Sequence, residues 1–275
     1  MVNSIGERID LNDKEGLLFT NPSGLGLTYD VSQADLEGGF YKRTKVEYPS
    51  QTIVGDLIIL GDSYSKYREF VNWINKGRDL SFIYKPYGNV EYQVDVEIES
   101  LEKTELNQYG ALLCALNMNT KTPWYAPNAT IINVTPEVAG NSSRFDLQFD
   151  FTFLDDNTAG GTTVVSKGHI PSSLKVTIPG PIYNPSIELY KGTELLGKMK
   201  LYDTSVASGS ELIFSSLYTN SGVWIDNVSQ IDKLDLSNNN FFRIPIGDAC
   251  EIKIVSDQLV AINATVSVYD YYRSV

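Results

Sequence analysis

The chain has 275 residues, enough for two ordinary domains or one large β domain, each with its own core. Its 34 acidic and 22 basic residues give a formal charge of −12, which argues against a surface built to grip nucleic acid through its phosphates. It does not exclude a negative wall past which DNA slides, and the 17 Tyr and 21 Gly favour strands and turns over helices.

The stretch Met1–Arg8 has no apolar core of a signal peptide, and no segment approaches the roughly 18 apolar residues of a membrane span. Folding in a cytosol is the expectation. Residues 1–50 are weakly patterned, with short strands expected at Leu17–Thr20 and Phe40–Tyr48 around the Gly-containing stretch Asn21–Gly39. Gly24-Leu25-Gly26 is followed by Tyr29 where a dinucleotide fingerprint needs its third small residue, so no nucleotide site is read there.

Thr52–Leu60 reads as a strand and Gly61-Asp62 as a turn. The one convincing amphipathic helix follows, over about residues 62–76. Tyr64, Tyr67, Phe70, Val71 and Ile74 recur at three- and four-residue spacing and form its apolar stripe. Asp62 or Ser63 can cap the start, while Lys76 and Gly77 supply the cation and the positive-φ residue that close the end. Trp73 falls at or beyond the edge of the stripe, where it covers the rim of the core or contacts another subunit.

Beyond the strand Leu80–Tyr84 and the turn Lys85–Asn89, the segment Tyr92–Glu99 alternates without a break. Its apolar residues are even-numbered, and its polar, mostly acidic ones are odd-numbered and face water or a neighbouring molecule. Leu112–Met118 forms its hairpin partner across a turn near Asn107–Gly110. Pro123-Trp124-Tyr125-Ala126-Pro127-Asn128 then breaks the pattern, and the boundary between domains 1–126 and 127–275 is placed there.

The second half opens with a strictly alternating strand, Phe145–Phe153, and a polar turn from Asp155 through Thr163. Strands are expected at Leu174–Ile178, Ser186–Tyr190, Lys198–Tyr202, Glu211–Phe214, Gly222–Ile225, Phe241–Ile244, Glu251–Val255 and Val260–Tyr272. Many short strands between Gly, Pro, Asn and Ser turns indicate a β-sandwich. The fold class expected overall is therefore mainly β in two domains, with one packed helix.

Chemistry-bearing patterns are sparse. The single histidine, His169, lies in a Lys-Gly-His-Ile-Pro turn without a nucleophile elbow, and with two distant cysteines it makes no zinc ligand set. Cys114 and Cys250 are expected as buried free thiols. Asp155-Asp156-Asn157 lacks the spaced carboxylates of a calcium loop, and the prominent acids lie on outer strand faces where solubility explains them. No catalytic, metal or cofactor residue is assigned. Trp224 stands between Val223 and Ile225 and is either a buried strand aromatic or, beside Asn227 and Tyr218, a platform for a sugar ring. This makes a carbohydrate-binding adhesion module the alternative function.

The first half resembles the N-terminal domain of siphophage distal tail proteins. The resemblance is carried by the order of Tyr64–Ile74, Leu80–Pro86, the acidic strand Val94–Glu99, Leu101–Glu105 and Leu112–Leu116, ending at Thr122–Tyr125. The second half is similar to that family's galectin-like sandwich through Val176–Ile187. The resemblance implies a non-enzymatic structural protein, a homo-hexameric ring at the virion tail tip assembled in the cytoplasm of a bacterial host. Its first domains would surround a channel continuous with the tail tube protein, with DNA only passing through. Outward second domains would attach receptor-binding or baseplate proteins, and the far side would meet a tail-associated lysin or spike. Galectin-like describes shape only, because His169 is not followed by the His-x-Asn-x-Arg pattern of sugar-binding galectins.

Overall fold

The computed structural model describes residues 1–13, 16–36, 40–47, 49–77, 79–86, 90–126, 130–134, 158–257 and 262–275. The expected strand Phe145–Phe153 and the acidic turn Asp155-Asp156-Asn157 lie outside the described residues. The chain divides into two compact units, Met1–Pro127 with Tyr272–Val275, and Asn128–Tyr271.

In the first unit an antiparallel sheet runs in the order Leu17–Ser23, Thr52–Ile59, Leu112–Thr120, Tyr92–Lys103, Leu80–Tyr84 and Val2–Asn3. Two isolated bridges, Val2 to Arg8 and Asn12 to Leu18, let the N-terminal segment join one edge of this sheet to the other. The result is barrel-like. Alternation sets the faces: Val94, Val96, Leu112, Cys114, Leu116 and Met118 are fully buried, whereas Glu97 and Glu99 are exposed. A register shift between Ile98 and Ser100 reverses the phase, so that Leu101 lies opposite Leu116 and packs against the core.

The helix Ser63–Lys76 packs with Phe70 fully buried, a burial that contributes about 1.5–3 kcal/mol. Its buried face is centred on Phe70 and includes Ser63, Trp73 and Gly77, turned by about 60° from the expected stripe. Tyr64 is therefore at the rim, its hydroxyl donating to Glu105 at 2.8 Å under the ammonium of Lys103. Ser63 takes the inner place because its single hydroxyl proton is shared between the carbonyls of Ile59 and Gly110, 2.9 and 2.8 Å away. Neither Asp62 nor Ser63 makes a side-chain cap, and Gly77 is extended at φ −142°, not left-handed. What Gly77 supplies is close approach: a β-carbon there would stand 2.7 Å from Ser4 Oγ and 3.0 Å from its backbone nitrogen.

In the second unit two antiparallel sheets share one core. One contains Thr130–Val134, Ala264–Tyr272, Ile170–Pro179, Glu211–Ser216, Ser221–Ile225 and Val228–Ser229 in that order. The other runs Thr158–Val165, Ala249–Ser256, Ser186–Lys191, Glu194–Lys200. Leu174, Val176, Phe214 and Val266 from the first meet Ile187, Leu189, Ile252 and Ile254 from the second.

Two expectations in this half are corrected. Thr158–Thr163 belongs to a strand instead of a turn, because Gly160 and Gly161 pair along Ile254 and Lys253 at the sheet edge. Phe241–Ile244 is not a strand: only Ile244 bridges, to Ser172, and Phe241 has a φ of +54° that no ladder accepts. Its apolar residues Phe242 and Ile244 enter the core without strand pairing.

Candidate functional site

The chemistry-bearing residues do not converge. Cys114 and Cys250 are free and buried in different units, each thiol pushed up from its ordinary range by burial. His169 is exposed on a turn. Among the described residues no group of three His, Cys, Asp or Glu side chains could hold a metal ion, and no helix is long and apolar enough to cross a membrane. The candidate features are therefore surfaces.

The first lies beside the helix. Trp73 stacks on Phe70 with ring centroids 6.1 Å apart and planes 8° from parallel, and it is 8% exposed. Its indole nitrogen is buried without a hydrogen-bond partner among the described residues, a costly state for a donor. Trp73 also lines an open cavity of about 930 Å³ between the helix and the segment from Arg8 to Leu17. Charged walls come from Arg8, Lys66 and Lys76 on one side of the balance and from Asp10, Asp13 and Glu69 on the other.

The second feature is a ribbon of two strands, of which the sequence pattern marks Phe40–Glu47 and misses Asp30–Leu36. Asp30–Leu36 and Phe40–Glu47 pair antiparallel, from Asp30 opposite Glu47 to Leu36 opposite Phe40. Among the described residues they pair with no third strand. Residues 30–35 are all exposed, as are Lys42, Arg43, Thr44 and Lys45. Leu27, Tyr29 and Val31 leave 43%, 45% and 45% of their surface in solvent. One strand carries Asp30 and Asp35, the other Lys42, Arg43 and Lys45 with Glu47, which pairs with Lys45, so the two strands have opposite net charge. A lone two-stranded ribbon is marginal in water, and both its edges present unpaired backbone groups. Such a ribbon has the form of a connector.

The acidic strand is a third feature. Asp95 is tied down by the hydroxyls of Ser81 at 2.8 Å and Tyr125 at 3.0 Å, so its role is local. Glu97 and Glu99 reach solvent, with Lys121 3.9 Å from Glu97. In the second unit Trp224 is half-buried opposite Ile213, on the sheet face away from the core.

On the opposite sheet of that unit, Glu188 is 8% exposed between Lys198 and Lys253 and accepts from Lys198 at 2.6 Å and from Tyr190 at 2.7 Å. Burial opposes its ionisation. The hydrogen bonds from Lys198 and Tyr190, helped by the charges of Lys198 and Lys253, outweigh burial and hold the carboxyl below its ordinary range. Tyr190 is pushed up to about 12, chiefly by its hydrogen bond to Glu188. This cluster fastens three adjacent strands and offers no open site.

Residues 1–121 match the family described as the distal tail protein, N-terminal domain. Among solved structures, one chain of the phage P2 baseplate in its activated conformation with calcium is similar over 99% of this chain and 96% of its own length, with a TM-score of 0.65 and 13% identity. The SPP1 Dit protein, described as a hub of the adsorption apparatus in phages infecting Gram-positive hosts, aligns over 93% of each chain at a TM-score of 0.57 and 11% identity. A chain of the phage p2 baseplate with strontium gives 0.61 and 14%, over 93% and 96%. No curated protein matches the sequence. Identities this low establish shared fold, mainly β along essentially the whole chain. The family match lies within the first unit, and the structural likeness extends it as shared fold to the second. Residues 1–121 thus carry the N-terminal domain of the distal tail protein family, and the chain as a whole shares the fold of these baseplate and Dit chains.

Proposed function

We propose that six copies join through their first units into a ring at the tail tip, around a channel continuous with the tail tube protein. The observation that carries this reading is the ribbon Asp30–Leu36/Phe40–Glu47, with two open edges and opposite charge on its two strands. Opposite charge on the two edges suits a head-to-tail contact between neighbours, the kind that closes into a ring. Apolar Tyr29 and Val31 gain by being covered there. Trp73 enters as a second contact, because it lines the open cavity beside the helix, where a neighbouring copy can seat.

In this arrangement the ring is assembled in the bacterial cytoplasm. The second units, galectin-like in shape, attach receptor-binding or baseplate proteins, while the far side meets a tail-associated lysin or spike. DNA passes through without specific binding, and exposed Glu97 and Glu99 in a chain of charge −12 keep phosphates from adhering. The role is mechanical, with no catalytic residue and no cofactor.

Native mass spectrometry across a concentration series, with the chain alone and with a neighbouring tail protein, is the test. A six-membered species that disappears in Lys42→Glu/Arg43→Glu is expected. A chain that stays monomeric in every mixture sinks the ring.

A further inference from the structure

The second unit carries a surface that the hub role does not use. In the sheet containing Ile170–Pro179, the even residues Leu174, Val176 and Ile178 are fully buried in the core, as are Leu212, Phe214 and Val223 on the neighbouring strands. The intervening residues point the other way. Register aligns them in two rows across the sheet. One row is Trp224, Ile213, Thr177, Thr265, and the other is Gly222, Ser215, Lys175, Ser267.

The backbone prepares this face for an aromatic platform. The six-membered ring of Trp224 lies over Gly222, where a β-carbon would come within 2.6 Å of both Cη2 and Cζ2. Any larger residue at 222 would lift the indole from the sheet. Around the platform, polar groups are left open. Among the described residues, the indole N–H of Trp224, the Lys175 ammonium and the hydroxyls of Thr177, Thr265 and Ser267 make no protein hydrogen bond or ion pair.

Along the strands, beyond Ser215, stands a second exposed aromatic. Tyr218 is 43% exposed and lies edge-on to Tyr271 at 5.0 Å. The guanidinium of Arg243 is stacked on its ring at 3.5 Å, with a buried Nε that has no acceptor among the described residues. The two rows hold no carboxylate although the whole chain is acidic, and the cations on this face, Lys175 and Arg243, are without a counter-ion among the described residues.

We infer that this face binds an acidic polysaccharide. Sugar rings present an apolar C–H face, which packs on Trp224 and Tyr218, and hydroxyl edges, which meet the open Thr and Ser hydroxyls. The anionic substituent falls to Lys175 and Arg243. A bare anion would have no use for Trp224 on its glycine bed, and a neutral glycan would leave the two unpaired cations idle.

The test is a glycan array of neutral, carboxylate-bearing and phosphate-bearing oligosaccharides probed with the full chain, followed by titration of the strongest binder and of inorganic phosphate. Binding confined to acidic glycans is expected. Trp224→Ala should weaken it by about ten-fold or more, the size of one lost stacking contact. Gly222→Val should do the same through a displaced ring, while Lys175→Gln should bring acidic glycans down to the level of neutral ones; all three variants should melt near the parent temperature. Absence of binding to any glycan, or binding indifferent to Trp224→Ala in a folded protein, overturns the proposal. So does inorganic phosphate alone binding as tightly as the glycan, or a peptide competing in its place. The outcome is separable from the ring: a monomer that binds the glycan would end the ring model and leave this site standing.

Discussion

Trp73 and Trp224 are both strand- or helix-borne aromatics whose sequence context left two readings open, and the structure puts them in opposite surroundings. Trp73 is 8% exposed and stacked on Phe70 in the first core, yet its N–H has no acceptor among the described residues. Trp224 is half-buried outside the second core, its ring over Gly222 and its N–H without a protein acceptor among the described residues. The difference lies in the residues beneath each ring. A helix packed on a sheet closes over its aromatic, whereas a glycine two residues away on a strand gives the aromatic a flat bed.

The contrast can be broken most strongly at Trp73. Trp73→Ala should destabilise the first unit by about 3–5 kcal/mol, the cost of emptying a core aromatic site, read by denaturant unfolding. Trp73→Phe keeps most of the apolar volume but reshapes the cavity wall, so it should leave monomer melting nearly intact while weakening ring assembly in native mass spectra. Normal assembly by that variant would confine Trp73 to the core.

Glu188 provides the next effect, in the second unit. Glu188→Gln should cost about 1–3 kcal/mol, because Lys198 loses its charged partner. The sign of the pH dependence follows from a carboxyl held below its ordinary value of 4.5 in the folded state. Its stabilisation is complete above 4.5 and is lost as pH falls through the lower folded value. Unfolding measured from pH 6 to 3 should lose stability more gently in Glu188→Gln than in the parent. An identical slope would show that Glu188 contributes nothing to acid sensitivity.

A smaller change, below about 1 kcal/mol, is expected for Trp224→Ala, whose effect should appear in ligand binding instead. The smallest belongs to the ribbon. Val31→Lys, at a 45% exposed position, should move monomer stability by no more than about 0.5 kcal/mol while reducing oligomer formation. Chemical unfolding beside light scattering would separate the two.

Much of the first unit could be read from residue patterns. The alternation of Tyr92–Glu99 and Leu112–Met118 reports a sheet with one buried face, and the helix is marked by its periodicity. The direction of that helix was harder to read, because five apolar side chains at plausible spacing outvoted Ser63 and Gly77. Those two are buried for local reasons, a hydroxyl shared between two carbonyls and a close backbone approach. The strand Asp30–Leu36 left no signal because the ribbon has no core to impose alternation. Thr158–Val165 failed for a related reason, since an edge strand rich in Gly and Thr looks like a turn until its partner is known. Trp224 was legible as a candidate but its row of neighbours was not: Thr177, Ile213 and Thr265 meet only through pairing across three strands.

The last residues of the chain have a consequence for inheritance. Tyr272–Val275 belong to the first unit, where the ring of Tyr272 meets Tyr92 edge-on at 5.2 Å and Val275 packs on the core. The polypeptide leaves that unit after Pro127 and re-enters it at Tyr272, so the second unit is an insertion with two seams instead of an appended tail. Recombination between tail genes could replace everything between those seams as one cassette, changing what the second unit presents while preserving the first. A crossover at the first seam alone would carry the codons for Tyr272–Val275 away with the cassette and strip packing from the part of the molecule it was meant to spare.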